Sequence, residues 1–350
     1  MDAFLDVIYN WFKENKRDLP WRQTAEPYYI WLSEIILQQT RIVQGTKYYL
    51  RFIERFPTVK DLAEATEDEV LKEWQGLGYY SRARNLHFTA KYIHNELSGL
   101  FPCSYEEIFR LKGVGPYTAA AIASIAFDLP YPALDGNIYR VLSRYFGISS
   151  PIDSEKGRKE IEQIAIELMP EKNAGFHNQA LMEFGALQCV PKSPDCKKCV
   201  LNESCFARQN KMVDKLPVKI KKIKQQIRYF YYYLIECGEI IILQKREGKD
   251  IWRNLYQFPL YESDKPLNEN KILNVENIPS LEKCVVNIKM LTAVKKHILS
   301  HQVIFARLIF VEIENDDCLD NGFIRANKKD ISKFAVPRLI EEFIKDLNFK

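Results

Sequence analysis

Leu111-Lys112-Gly113-Val114-Gly115-Pro116-Tyr117-Thr118-Ala119-Ala120-Ala121-Ile122 reads as a hairpin between two helices. Gly113 and Gly115 let the backbone turn tightly. Pro116 suits the first turn of the helix that follows. The N–H groups at the start of that helix point outward with the helix dipole behind them, which makes a ready phosphate site. Taken alone, a plain glycine-containing turn explains the same residues. About twenty residues on, Leu134-Asp135-Gly136-Asn137-Ile138 follows the proline-rich Leu129-Pro130-Tyr131-Pro132, so a carboxylate sits in an apolar, glycine-containing setting.

Outward from the hairpin, residues 4 to about 205 read as mostly helical. Thr66 and Glu69 are spaced as a capping box, and breaks fall at Pro27, Pro57, Pro102, Pro130 and Pro151. The texture changes near residue 226. Arg228-Tyr-Phe-Tyr-Tyr-Tyr-Leu-Ile-Glu236, Ile240-Ile-Ile-Leu243 and Val303-Ile-Phe-Ala-Arg-Leu-Ile-Phe-Val311 are rich in β-branched and aromatic residues, as strands are. Residues 207–226 are lysine-rich, contain Pro217 and lack a clear core face. The expected organisation is therefore a helical domain over 1–206, a basic linker over 207–226 and an α+β domain over 227–350, with no internal repeat.

The 350 residues are 27% charged and 47% hydrophobic with 14 Gly and 16 Pro, which excludes a disordered or low-complexity chain. No run reaches the roughly 18 apolar residues a membrane span needs, so no membrane association is expected. The N-terminus, Met1-Asp2-Ala3-Phe4-Leu5-Asp6, is acidic and mixed rather than a targeting signal. A cytoplasmic protein is the expectation. Net charge is +4, but Lys192–Lys224 holds ten Lys/Arg against three Asp/Glu. A basic stretch of that kind fits a polyanion partner, and it fits a solvated linker equally well.

Of the eight cysteines, four fall within 17 residues: Cys189, Cys196, Cys199 and Cys205, spaced C-x6-C-x2-C-x5-C. Four thiolates from one short loop suit an Fe–S cluster or a tetrahedral zinc. Structural zinc usually uses two short pairs, and only the central pair here is short. Cys103, Cys237, Cys284 and Cys318 read as ordinary core or surface thiols, since cytosolic chains seldom form disulfides.

The hairpin, the segment carrying Asp135 and the four-cysteine loop occur in the order found in the helix–hairpin–helix DNA glycosylases, the endonuclease III superfamily. The resemblance covers residues 4 to about 206. Trp31-Leu-Ser-Glu-Ile-Ile-Leu-Gln-Gln-Thr40 and Gly76-Leu-Gly-Tyr-Tyr-Ser-Arg-Ala-Arg-Asn85 resemble its adenine glycosylase branch, MutY. The resemblance implies a [4Fe-4S] cluster on Cys189, Cys196, Cys199 and Cys205. Superfamily members that also cut the backbone carry a lysine shortly after the second hairpin glycine, which forms a Schiff base with the sugar. Tyr117 stands there and cannot form an imine, while Lys112 precedes the turn. A monofunctional enzyme is expected.

Removing adenine requires a proton on the base and negative charge near the sugar, as two carboxyls provide in glycoside hydrolysis. Glu34, among Trp31, Leu32, Ile35, Ile36 and Leu37, sits where apolar surroundings keep a proton available. Asp135 is the charged partner. Read without the resemblance, Glu34 is equally a solvent-facing helix residue and Asp135 a helix cap. The resemblance implies that Glu34 is the general acid at adenine N7, Asp135 the oxocarbenium stabiliser and candidate nucleophile, Asn137 its orienting partner and Tyr117 an assisting hydroxyl. It implies an adenine pocket lined by Trp21, Arg22 and Gln179, entered by a flipped nucleotide. It implies that Gln39 and Tyr79 wedge the base stack and that Thr40 and Leu77 sit beside the opposite base.

Ile240-Ile-Ile-Leu-Gln-Lys-Arg-Glu247 and Gly248-Lys-Asp-Ile-Trp-Arg-Asn-Leu-Tyr-Gln-Phe-Pro259 resemble the opening of a Nudix-type domain, but residues 262–285 lack the paired-glutamate box that binds Mg²⁺. The adenine glycosylase branch keeps such a domain to read 8-oxoguanine through a Phe-Ser-His loop. The matching run here is Leu299-Ser300-His301, with leucine for phenylalanine. The expectation is a monomeric adenine glycosylase acting on 8-oxoguanine:A or G:A mispairs in double-stranded bacterial chromosomal DNA. The alternatives are an endonuclease III-type glycosylase and lyase for oxidised pyrimidines or thymine mismatches, an idle Fe–S DNA-binding protein, and a nucleotide pyrophosphatase. Tyr117, the retained Glu34 and Asp135, and the missing box argue against them in turn.

Overall fold

The computed structural model describes residues 2–220, 225–274, 277–278, 281, 284 and 286–347. In chain order its helices are α1 (Asp2–Asn15), α2 (Pro27–Leu37), α3 (Ile42–Arg55), α4 (Val59–Glu64), α5 (Glu67–Trp74), α6 (Ser81–Glu96), α7 (Tyr105–Arg110), α8 (Pro116–Phe127), α9 (Gly136–Phe146), α10 (Glu155–Glu167), α11 (Ala174–Leu187), α12 (Phe206–Gln209), α13 (Glu269–Ile272) and α14 (Arg338–Asp346). The strands are β1 (Gln226–Cys237), β2 (Ile240–Lys245), β3 (Tyr256–Gln257), β4 (Leu260–Ser263), β5 (Val286–Leu291), β6 (Lys295–Ile298), β7 (Gln302–Ile313) and β8 (Ile324–Asn327). No described helix is long and apolar enough to cross a membrane.

The chain divides into two compact units, Met1–Glu64 with Asn85–Lys221, and Ala65–Arg84 with Lys222–Lys350. These are not the contiguous segments expected from sequence. Ala65–Arg84 counts with the second unit because polar anchors hold it there. Asp68 receives Lys245 Nζ at 2.8 Å and the Tyr256 hydroxyl at 2.6 Å, and Lys72 Nζ donates to the Phe334 carbonyl at 3.0 Å. The first part of the expected linker counts with the helical unit. Leu216 is buried and its carbonyl accepts from Arg144 Nε at 3.0 Å, and the Ile152 N–H donates to the Val218 carbonyl at 3.0 Å.

In the helical unit, local chemistry sets the ends. Pro27 and Pro116 open α2 and α8 at positions where a missing N–H costs nothing. Asp135 caps α9, and Gly147 ends it at φ +75°, in the left-handed region. Small residues set the packing. Ala119 to Ser124 of α8 are all buried. Gly175 of α11 lies so near α8 that a Cβ would come within 2.7 Å of the Ser124 carbonyl oxygen. Close approach of α2, α8 and α11 brings Glu34, Tyr117 and Gln179 to one cavity.

The second unit is built on an eight-stranded sheet with the path β3-β2-β1-β7-β5, to which β4, β6 and β8 add. Long central strands β1 and β7 run parallel, pairing Gln226 with Gln302 through Glu236 with Glu312. Their apolar runs are continuous because both faces are covered. Phe230, Tyr232 and Leu234 pack with Leu339, Ile340 and Phe343 of α14. Tyr231, Tyr233 and Ile235 face the other way, with Ile272, Ile278 and Leu281. The capping box is present on α5: Thr66 Oγ1 accepts the Glu69 N–H and Glu69 Oε2 accepts the Thr66 N–H.

Cys284 and Cys318 form a disulfide, which corrects their reading as free thiols. The register explains the encounter. Val286 at the start of β5 pairs with Ile313 at the end of β7, so residues 34 apart in sequence meet at one end of the sheet.

Candidate active site

Glu34, Tyr117, Asp135 and Asn137 line one cavity of about 230 Å³ in the helical unit, together with Trp21, Arg22, Gln179 and Thr40. Four separate elements contribute its chemistry, and no two of the four carboxylate, phenol and amide groups Glu34, Tyr117, Asp135 and Gln179 share a helix interior. The cavity is at the small end of ligand pockets.

Glu34 is 8% exposed, on the buried side of α2. Burial lifts its pKa to about 7; the Tyr117 hydroxyl and the Arg22 guanidinium oppose the lift, and nearby Asp135 adds to it. The Tyr117 hydroxyl also lies 3.5 Å from Met182 Sδ. Burial beside two carboxyls also pushes the Tyr117 phenol well above its ordinary value, so this hydroxyl keeps its proton. Asp135 is anchored by its capping role. Its Oδ1 accepts the N–H groups of Asn137 (2.9 Å) and Ile138 (2.8 Å), and its Oδ2 accepts Asn137 Nδ2 at 2.6 Å. Burial raises the Asp135 pKa, against the pull of those donors and of Arg140.

Two residues missed in the sequence reading hold the opposite wall. Glu183 is 1% exposed and takes bidentate pairs from Arg17 (2.8 and 2.6 Å) and from Arg22 (3.0 and 2.9 Å). Burial works to raise its pKa, but the two guanidiniums dominate and hold it down to about 2. Arg22 is thereby fixed in direction. Glu183 lies four residues after Gln179, one helical turn on, and that spacing was the available signal. Trp21 meets Tyr49 edge-on, with ring centres 5.4 Å apart.

The hairpin turns at Gly113, with φ +86°, where a Cβ would come within 2.7 Å of the Asn85 Cβ. Gly115 is the cap residue of α8 and has an ordinary extended backbone. Lys112 does not line the catalytic cavity; its Nζ lies 4.0 Å over the Phe88 ring. Gln39 also lies outside that lining, in a left-handed turn at φ +54°.

Within the second unit, Tyr79 stands at φ +47° and is 44% exposed, and its hydroxyl hydrogen-bonds to Ser300 Oγ. Leu77 is buried at 8% exposure. The turn between β6 and β7 carries Leu299, Ser300 and His301. Ser300 and His301 are exposed, but Leu299 packs against the core of the sheet. The exposed apolar residue there is Ile298, at 63%. Leu299 is partly buried, and alternation along β6 sends Ile298 outward beside it.

Cys189, Cys196, Cys199 and Cys205 all line one further cavity, with Arg144. Arg144 Nη1 lies 3.4 Å from Cys189 Sγ, a position suited to a thiolate. Among the described residues no three Cys, His, Asp or Glu side chains are drawn close enough to hold a single metal ion. Four sulfurs around one cavity beside a guanidinium nevertheless fit the donor set of a cluster larger than one ion. The loop is tied to the catalytic cavity by Arg140. Its Nε donates to the Cys189 carbonyl at 2.7 Å, and its Nη2 donates to Asn137 Oδ1 at 2.8 Å and the Gly185 carbonyl at 2.7 Å.

Gly185 is where α11 crosses the start of α9, and a Cβ there would come within 2.6 Å of the Asn137 Cβ and 3.0 Å of its carbonyl. Gly185→Ala is expected to displace Asn137 and with it Asp135. We expect a loss of about 1–3 kcal/mol in stability from overpacking and a lower single-turnover rate. Urea unfolding and single-turnover assays check this; an unchanged rate would mean that α9 yields without moving its cap.

The helical unit sets a glycine hairpin at the start of α8 and a buried carboxyl pair in one cavity, the frame of a helix–hairpin–helix protein. The pattern of the HhH-GPD superfamily base excision DNA repair proteins matches residues 32–170, and that of the NUDIX domain matches residues 230–346. Among solved structures, a thermostable thymine-DNA glycosylase is 31% identical with a TM-score of 0.56, covering 60% of this chain and 96% of that one. An endonuclease III–DNA complex shares the fold at 24% identity and a TM-score of 0.53, covering 60% and 96%. The adenine DNA glycosylase of Buchnera aphidicola subsp. Acyrthosiphon pisum is 37% identical over 276 residues, 77% of this chain and 78% of its own. That of Buchnera aphidicola subsp. Baizongia pistaciae is 35% identical over 91% of this chain and 89% of its own, and the human adenine DNA glycosylase is 41% identical over 59% and 40%. The chain belongs to the adenine DNA glycosylase family, enzymes of base-excision repair.

Proposed function

We propose that the enzyme hydrolyses the N-glycosidic bond of adenine opposite 8-oxoguanine or guanine in duplex DNA, without cutting the backbone. The observation that carries this reading is the pair of carboxyls at one cavity with contrasting surroundings. Glu34, with its pKa near 7, keeps a proton to give. Burial raises the Asp135 pKa as well, but three donors and Arg140 work for its charged form, and among the described residues Glu34 has no such set of donors.

In this reading the adenosine flips into the cavity and packs beside Trp21, Arg22 and Gln179. Glu34 protonates N7. The C1′–N9 bond breaks with its electron pair passing into the base, and the cationic sugar faces Asp135, oriented by Asn137. Water then adds to C1′ and gives up a proton. Tyr117 supplies a hydroxyl and no amine, so no Schiff base forms. Gly113 and Gly115 seat a DNA phosphate, Gln39 and Tyr79 wedge the stack, and Thr40 and Leu77 flank the opposite base. Ser300 and His301 offer hydrogen bonds to 8-oxoguanine, and Leu299 supports their turn from within. Cys189, Cys196, Cys199 and Cys205 hold a [4Fe-4S] cluster, which when bound orders a basic loop. The enzyme acts as a monomer in the bacterial cytoplasm.

The test is identification of the base released from duplexes carrying 8-oxoguanine:A, G:A, thymine glycol:A or undamaged pairs. Adenine from the first two alone is expected. Ser300→Ala is expected to narrow the preference for 8-oxoguanine:A over G:A by about tenfold, since one lost hydrogen bond is worth about 1.4 kcal/mol. Release of a damaged pyrimidine would contradict the reading.

A further inference from the structure

A second cavity, of about 440 Å³, adjoins the catalytic one, and Arg17, Arg22 and Gln179 line both. We propose that it is the exit chamber for the excised base, so that free adenine leaves while the DNA is still held. The inference rests on the adenine excision proposed above.

Its lining argues for a neutral planar heterocycle. Phe176, half-buried, supplies apolar ring surface, and the buried Phe12 stands edge to face behind it at 5.3 Å. Gln23 and Gln179 each offer an amide donor and acceptor, the pattern a nucleobase edge needs. Lys16 and Asp18 at the exposed rim carry opposite charges. The two arginines of the shared wall are already committed to Glu183, so they do not make the chamber an anion trap.

Position argues for an exit rather than an entrance. Leu37, Thr40 and Ile42, from the segment that carries the wedge residue Gln39, line the catalytic cavity and not this chamber. The chamber is lined only from α1, the 16–23 segment and α11. Its mouth is spanned by a hydrogen bond from Gln23 Nε2 to Asp18 Oδ1, 2.9 Å between two exposed side chains, which opens at little cost.

The experiment uses a biotinylated 8-oxoguanine:A duplex with tritium in the target adenine, held on streptavidin beads under excess enzyme. Tritium in the supernatant is expected to appear at the rate of bond cleavage. Gln23→Trp, which plugs the mouth, is expected to slow its appearance about tenfold or more while cleavage, read after denaturation, is unchanged. Lys16→Trp provides a second plug should the first variant fail to fold. Retention of label on the beads until the DNA dissociates, or release from a folded, plugged variant as fast as from the wild type, would overturn the exit chamber. Absence of cleavage by the wild type would instead count against adenine excision itself.

Discussion

Glu34→Gln lowers the single-turnover rate of adenine excision by about 10²–10⁴-fold, the range general acids contribute. Glutamine fills the same space and can still accept the Tyr117 hydroxyl, so the cavity keeps its shape and duplex binding stays. What is lost is the proton. The wild-type rate should fall on the alkaline side as pH rises through about 7, where Glu34 ionises, and on the acid side as Asp135 takes a proton; the variant's residual rate should lack the alkaline step. Stability moves in the same sense with pH. The folded pKa of about 7 lies above the ordinary 4.5. Below 4.5 the carboxyl is protonated in both states, and folding bears no cost. Between 4.5 and 7 the unfolded chain ionises first, and stability is lost as pH rises. Above 7 the deficit is about 3 kcal/mol at most. Glu34→Gln should therefore melt higher than the wild type at pH 8 and equally at pH 4.5. Thermal denaturation at both values checks the sign, and equal melting at pH 8 would mean that Glu34 is not buried as an acid.

Asp135→Asn separates the structural role of this residue from its chemical one. Asparagine caps helices about as well as aspartate, and its carbonyl can still accept the Asn137 and Ile138 N–H groups. The bond from Asn137 Nδ2 to Oδ2 is lost, because an amide nitrogen cannot accept it, so stability should fall by about 1 kcal/mol while the cap is kept. Charge opposite the developing oxocarbenium ion is removed, and such electrostatic groups are worth about 10²–10³ in rate. Asp135→Ala should lose both, with about 1 kcal/mol of stability going with the cap. Single-turnover rates and urea midpoints for the two variants distinguish the roles. An active Asp135→Asn enzyme would leave the residue as a cap alone.

The two readings of Asp135 in the sequence, helix cap and catalytic carboxylate, are compatible in the structure, because the cap bonds are what aim the side chain into the cavity. Glu34 was legible through the resemblance rather than its neighbours, which by themselves allow a solvent-facing helix residue equally well; the structure buries it on α2. Of the Arg17–Arg22–Glu183 wall, only the spacing of Glu183 one turn after Gln179 was legible; the pairing with Arg17 closes across 166 residues of sequence. Strand pairing hid the Cys284–Cys318 bond in the same way. The exposure of Ile298 beside the Leu299 turn was not legible either, because the pleat of β6 decides which side chain points out. The assignment of Ala65–Arg84 to the second unit depends on Asp68 and Lys72, two surface-type charges that carry no periodic signal.

The most direct test of monofunctional adenine excision is an 8-oxoguanine:A duplex, end-labelled on the adenine strand, with products resolved before and after hot alkali. The account predicts intact strands before alkali and breaks at the adenine position after it, because Tyr117 offers no amine to the sugar. Breaks without alkali would contradict it, and so would strands that stay intact in both lanes.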